Sequence, residues 1–161
     1  MDFPLRKPNR IPNFDYSTPG AYFITICTKN RRKIFWTNVG ATIGRPQIPQ
    51  LSRAGQIVEQ AIQNIAYHYP ALSVDHYAVM PNHIHLLLQI NTDENGRPMV
   101  APTISTVIQQ MKGYVTKQLG VSVWQKLFHD HVVRDKQDYE EIWTYIDNNS
   151  TKWELDCFYT D

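Results

Sequence analysis

The stretch Met80-Pro81-Asn82-His83-Ile84-His85-Leu86-Leu87-Leu88 limits the fold more than any other part of the chain. An apolar run of this length, opened by a Pro-Asn turn, reads as a buried strand. On a strand, residues two apart share a face, so His83 and His85 stand side by side. Ile84, Leu86 and Leu88 then face the other way, into a core. Two neutral imidazoles at that spacing can bind one divalent cation. A His-x-His pair alone is more often a packed or surface pair, so its meaning depends on its surroundings.

The neighbouring segments supply a fold for this strand. Residues 1–20 are rich in proline and polar residues and predict an extended N-terminal arm. Ala21 to Thr28 is β-branched and aromatic and reads as a first strand. Ser52 is a plausible N-cap for a helix that buries Ile57, Val58, Ala61, Ile62 and Ile65 and stops before Pro70. Ser73–Val79 is a second strand, with His83–Ile90 as its hairpin partner. A helix from Thr103 to Leu119 carries the stripe Ile104, Val107, Ile108, Met111, Val115 and Leu119, and Gly120 stops it. Phe128–Arg134 is a fourth strand. Asp135 caps a final helix whose buried face is Tyr139, Ile142, Tyr145 and Ile146. The order strand, helix, strand, strand, helix, strand is the split βαβ arrangement. It predicts an α+β fold of ferredoxin-like (RRM-like) type: a four-stranded antiparallel sheet with helices on one face and an added C-terminal helix.

The 161 residues suffice for one domain, expected over residues 21–161. No segment has the length and apolarity of a membrane-spanning helix, and Met1-Asp2-Phe3-Pro4-Leu5-Arg6 does not read as a signal peptide. Cys27 and Cys157 suggest neither a disulfide framework nor a cysteine zinc site. The expectation is a cytoplasmic protein with no membrane partner. A net charge of +1 hides a split. Residues 1–60 carry nine Lys or Arg against three Asp or Glu, and residues 61–161 carry seven against twelve. Lys29-Asn30-Arg31-Arg32-Lys33 is the clearest basic cluster and suits phosphate contact, although a solvated loop reads equally well.

Two further features bear on chemistry. Tyr114 and Gln118 lie one helical turn apart on the flank of the 103–119 stripe, where a phenol and an amide could approach the histidines. A second pair, His129 and His131, sits on the fourth strand with Asp130 on the opposite face. It is read as structural or supporting, because it lacks the apolar strand context of the first pair. Trp36, Trp124, Trp143 and Trp153 read as core, with Trp36 beside the basic cluster as the candidate for base stacking.

Several ordered blocks then become specific together: Tyr22-Phe23-Ile24-Thr25, Tyr77 to Leu86, Met111-Lys112-Gly113-Tyr114, Trp124-Gln125, Phe128 to Arg134, and the tail from Tyr139 to Trp153. In these the chain resembles the HUH-type single-tyrosine transposases, and within them the REP-associated tyrosine transposases of bacteria. The tail has Asn149-Ser150 where that family often has Asn-Pro. The resemblance implies an endonuclease and strand transferase acting on single-stranded DNA beside an imperfect hairpin. It matches His83 and His85 to the metal-binding histidines, Tyr114 to the nucleophile and Gln118 to a third ligand. It also makes Lys29, Arg31, Arg32, Lys33 and Lys112 candidates for DNA contact.

The residue types suit that reaction. A phosphodiester is anionic and resists attack, so a divalent ion, Mg²⁺ or Mn²⁺, would polarise and orient it. Tyrosine attack gives a 5′-phosphotyrosine link and frees a 3′-hydroxyl, so the ends can be rejoined without ATP. The partner implied is single-stranded DNA with hairpin structure, bound by a monomer or homodimer. Two alternatives stay open: a domesticated hairpin DNA- or RNA-binding protein that no longer cuts, and a water-based metal-dependent phosphodiesterase.

Overall fold

The computed structural model describes residues 11–37 and 50–149. Four strands, β1 (Gly20–Cys27), β2 (Leu72–Val79), β3 (His83–Ile90) and β4 (His129–Val132), form one sheet in the order β2-β3-β1-β4, every pair antiparallel. The helices are α1 (Arg53–Gln63), α2 (Ile65–His68), α3 (Ile104–Leu119) and α4 (Lys136–Asn149). This is the ferredoxin-like arrangement expected from the sequence. The one helix expected after Ser52 is divided at Asn64 into α1 and α2, and a short 3₁₀ turn, Lys29–Arg31, follows β1.

Local chemistry accounts for the ends of these elements. The Ser52 hydroxyl accepts from the Gly55 amide (3.1 Å) and donates to the Ile34 carbonyl (2.5 Å), starting α1 and fixing it to the segment after the basic turn. Thr103 caps α3 by accepting from the Thr106 amide, and Gly120 ends it in the left-handed region at φ 74°. Asp135 accepts from the Asp138 amide at 2.8 Å, so the final helix starts where the sequence places it.

Side-chain alternation sorts the sheet into two unlike faces. Ile24, Ile26, Ile84, Leu86, Leu88 and Ile90 point into the main core, which α1 and α3 cover with Val58, Ile62, Val107, Met111 and Val115. On the other face, Leu87 and Ala21 pack with Ile142 and Ile146 of α4 in a second, smaller core. The sheet therefore lies between α1 and α3 on one side and α4 on the other.

The arm expected over residues 1–20 is corrected in part. Residues 11–19 lack regular structure, but Tyr16 is buried in the main core against Phe14 and Tyr22, and its carbonyl accepts from the Ile104 amide. Residues 1–10 lie outside the described residues.

Gly55 is a close-approach glycine: a Cβ there would lie 2.2 Å from the Phe35 carbonyl oxygen. Gly55→Ala must push α1 away from that backbone. The expected loss is about 1–3 kcal/mol of stability, read from urea or thermal unfolding.

Candidate active site

His83 and His85 project from β3 onto the α4 face and are almost wholly buried, at 0% and 1% exposure. Their Nε2 atoms lie 3.0 Å apart, and the ring planes are inclined at 73°. The other nitrogen of each ring is held from behind. The Oδ1 of Asn82 lies 2.7 Å from His83 Nδ1, and Thr25 Oγ1 of β1 lies 2.8 Å from His85 Nδ1. Strand pairing makes this possible, because Thr25 is directly opposite His85 and Cys27 directly opposite His83. Phe23, two residues before Thr25, stacks on His85 with centroids 5.4 Å apart and planes at 26°.

A divalent ion fits this pair. Two adjacent ligands on an octahedral ion, each bonded at about 2.1 Å, stand roughly 3.0 Å apart, the separation of the two Nε2 atoms. Among the described residues, His, Cys, Asp and Glu form no cluster of three or more able to hold a metal.

Tyr145 of α4 supplies the phenol at this pair. Its ring centroid is 5.3 Å from that of His85 and 6.1 Å from that of Phe23, edge-on to both. At 38% exposure the ring is wet on one side and packed on the other. One turn further along the same helix face is Asn149, buried at 3% exposure. Among the described residues its Nδ2 finds no hydrogen-bond partner. The unsatisfied atom is the amide nitrogen, a donor that cannot itself ligate a cation; an asparagine oxygen is the hard donor a divalent ion takes.

The remaining contacts of α4 fix its position on the sheet. His131 Nε2 lies 2.7 Å from Asp138 Oδ2 in its first turn. His76 stacks on Trp143 (4.4 Å) and lies 3.3 Å from Asp147. The Tyr139 hydroxyl donates to Asp75 Oδ2 at 2.6 Å, and burial together with that carboxylate pushes its pKa up to about 12. That bond ties α4 to β2, a structural role for Tyr139.

The structure does not bring Tyr114 and Gln118 to the histidines within the chain. Both lie on α3, on the far side of the sheet from His83 and His85. Tyr114 packs against the main core and lines a cavity of about 350 Å³ with Asn64, His68, Tyr69 and Met111, and Gln118 is exposed. A four-stranded sheet separates them from the histidines within the chain. On the histidine face the phenol beside His85 is that of Tyr145, and Asn149 lies one helical turn beyond it on α4. Periodicity assigned Tyr145 to a buried face, which describes its packed side but not its position beside His85.

The other sequence candidates are dispersed. Lys29, Arg31 and Arg32 are exposed and Lys33 is half-buried. They follow β1 at the His83 end of the sheet, where the Thr28 amide donates to the Asn82 carbonyl at 2.9 Å. Lys112 is turned inward on α3. Its ammonium donates to the Gln125 carbonyl at 2.7 Å, and burial lowers its pKa. His129 sits on the α4 face opposite Thr25, and His131 anchors α4. Trp36 is buried, with its indole donating to the Val79 carbonyl, so it does not present a stacking surface. Trp124 is also buried, Trp143 is partly exposed, and Trp153 lies outside the described residues.

Comparison with known proteins follows the same lines. A family model described as transposase IS200-like matches residues 18–149. An uncharacterised protein of Haemophilus influenzae is 31% identical over 97% of this chain and 94% of its own length. A second protein of that organism, provisionally named a REP-associated tyrosine transposase, is 24% identical over 86% of this chain and 74% of its own. Among solved structures, a REP-associated tyrosine transposase bound to a REP hairpin superposes with a TM-score of 0.65. It has 21% identity, covering 92% of this chain and 74% of that one. A Deinococcus radiodurans protein provisionally described as a transposase gives a TM-score of 0.50 at 16% identity, over 86% of this chain and 95% of that one.

Proposed function

The chain belongs to the IS200-like transposase family, and we propose that it cleaves and rejoins single-stranded DNA beside a hairpin, with Tyr145 as nucleophile. The observation that carries this reading is the placement of a half-exposed phenol edge-on to His85, whose Nε2 lies 3.0 Å from that of His83. The hairpin preference is supported by the solved relative of the same fold, which is bound to a REP hairpin.

In this mechanism His83 and His85 would hold a divalent ion, Mg²⁺ or Mn²⁺, with the Asn149 amide as a further ligand. When bound, such an ion polarises a phosphodiester and favours the phenolate form of a nearby tyrosine. The Tyr145 oxygen attacks phosphorus and gives up its proton. The bond from phosphorus to the 3′-oxygen breaks, and that oxygen leaves as a 3′-hydroxyl after taking up a proton. The 5′-phosphate remains on Tyr145, where a second 3′-hydroxyl can reverse the step. Phe23 stacks on His85 and meets Tyr145 edge-on, so one ring braces both groups. The 29–33 basic turn, joined through Thr28 to Asn82, offers positive charge to the DNA backbone at the same end of the sheet.

A hairpin-bearing oligonucleotide, labelled on its 5′-phosphate-bearing fragment and incubated with Mn²⁺, should yield a protein–DNA species that survives a denaturing gel. Cleavage with no such species would favour a water-based phosphodiesterase. Binding with neither would favour a domesticated binding protein. Asn149→Leu should lower Mn²⁺ affinity about 10- to 100-fold, read by calorimetry, whereas Gln118→Ala should leave it unchanged.

A further inference from the structure

We propose that the loop between α3 and β4 carries a wedge, Leu127, that ends the stem of a DNA hairpin at the His83 end of the sheet, while the cations around it hold the phosphates. The inference rests on the hairpin reading above and deepens it. It names the feature recognised: the junction between the paired stem and its single-stranded extension.

Two segments, locked together through their backbones, build this surface. The Lys29 amide donates to the Val123 carbonyl at 2.7 Å, and the Gln125 amide donates to the Cys27 carbonyl at 2.9 Å. Thr28 and Trp124 form an antiparallel bridge. Lys112 braces the loop from α3 by donating to the Gln125 carbonyl. Val123, Trp124 and Phe128 pack against the main core. On this pinned loop Val121 and Leu127 stand out at 61% and 66% exposure. Anchors on both sides of Leu127 make its exposure a fixed feature of the surface.

The two segments are basic. Residues 16–37 and 95–129 contain no Asp or Glu, and Lys29, Arg31, Arg32 and Lys126 are exposed. Arg31 also has a strained backbone, at φ 52° directly after Asn30 at φ 56°. The left-handed region suits glycine and asparagine and penalises arginine. A long cation kept where glycine would relieve the turn has a use for its side chain.

Cations alone follow a phosphate backbone and read no structure. An exposed leucine among them has bases to meet, and leucine is one of the residues that enter between base steps and unstack them. The step easiest to open is the one where pairing stops, because the base beyond it is held by stacking alone. The Thr28 amide donates to the Asn82 carbonyl, next to His83. A strand leaving Leu127 therefore starts at the end of the sheet that carries the two imidazoles.

The test is DNA binding by the full chain without metal, so it does not depend on cleavage. Three probes are compared by fluorescence anisotropy: a hairpin with a single-stranded extension, the same hairpin cut flush, and an unstructured strand. The junction base of the first is 2-aminopurine, which brightens on unstacking. Wild type should bind the extended hairpin most tightly and brighten that base. Leu127→Ser should keep the wild-type melting temperature, lose the brightening and bind the extended hairpin about 10-fold more weakly, with little change on the flush hairpin. Arg31→Ala and Lys126→Ala should weaken all three probes alike and keep the brightening at saturation. Each should lower the slope of log affinity against log salt by about 1. Leu127→Ser with wild-type brightening and affinity would overturn the wedge while leaving hairpin binding standing. A wild-type dimer in sedimentation that Leu127→Ser converts to a monomer would assign the loop to contact between copies and overturn it too. A wild-type protein that binds the unstructured strand as well as either hairpin would overturn the hairpin reading, and the wedge with it.

Discussion

Tyr145→Phe should eliminate the covalent protein–DNA species and lower strand cleavage by at least about three orders of magnitude, as removal of a nucleophile does elsewhere. The substitution deletes one oxygen from a ring that is 38% exposed, so stability should change by less than about 1 kcal/mol. Hairpin binding, measured by gel shift without metal, should persist. Tyr114→Phe and Tyr139→Phe are the controls. The first changes a helix on the far side of the sheet and should cut at the wild-type rate. The second removes the hydroxyl bonded to Asp75 and should lower the melting temperature of α4 packing while leaving adduct formation intact.

The second large effect is at the histidines. His83→Ala and His85→Ala should each abolish divalent-dependent cleavage, since each removes one of two converging nitrogens. The sequence alone suggests a partly exposed pair whose loss would spare the fold, but both rings are fully buried. Each truncation empties a packed volume and strands a buried partner, Asn82 or Thr25. A cost of roughly 2–4 kcal/mol is therefore expected, visible in urea unfolding. His129→Ala should retain cleavage, because His129 lies beyond β1 from the pair. His131→Ala should act through α4, by removing the 2.7 Å contact with Asp138, and reduce rather than abolish activity.

Much of this architecture is legible in the sequence because its signals are local. The Thr103 cap, the Gly120 stop and the Pro81-Asn82 turn each act within a few residues, and the strand and helix order follows from periodicity. The proposed nucleophile is harder to read, because periodicity says which side of a helix is apolar and not which face of the sheet it covers. Tyr114 and Tyr145 both sit in amphipathic helices.

The deciding signal is one of parity. The two crossover helices of a split βαβ fold lie on the same face, since both connections are right-handed. Their apolar stripes cover Ile84 and Leu86, and His83 and His85 have the opposite parity on the same strand. Among the described residues the helix outside the crossovers, α4, is the one on their face. Asn149 was hidden for another reason. An asparagine at a helix end reads as a stop, and its burial beside the sheet emerges only from the packing of Ile142 and Ile146. The basic turn is legible as charge, but its place at the His83 end comes from the Thr28–Asn82 hydrogen bond.

The central claim is that the phenol of α4, and not that of α3, takes the DNA. The direct measurement is to trap the adduct with a short oligonucleotide, digest it with trypsin and locate the nucleotide mass by fragmentation. Cleavage after lysine places Tyr145 in the peptide from Gln137 to Lys152 and Tyr114 in the peptide from Gly113 to Lys117. The nucleotide is expected on Tyr145, within the first of these peptides. A nucleotide found on Tyr114 would contradict the account, since within the chain that residue lies on the opposite face of the sheet from His83 and His85.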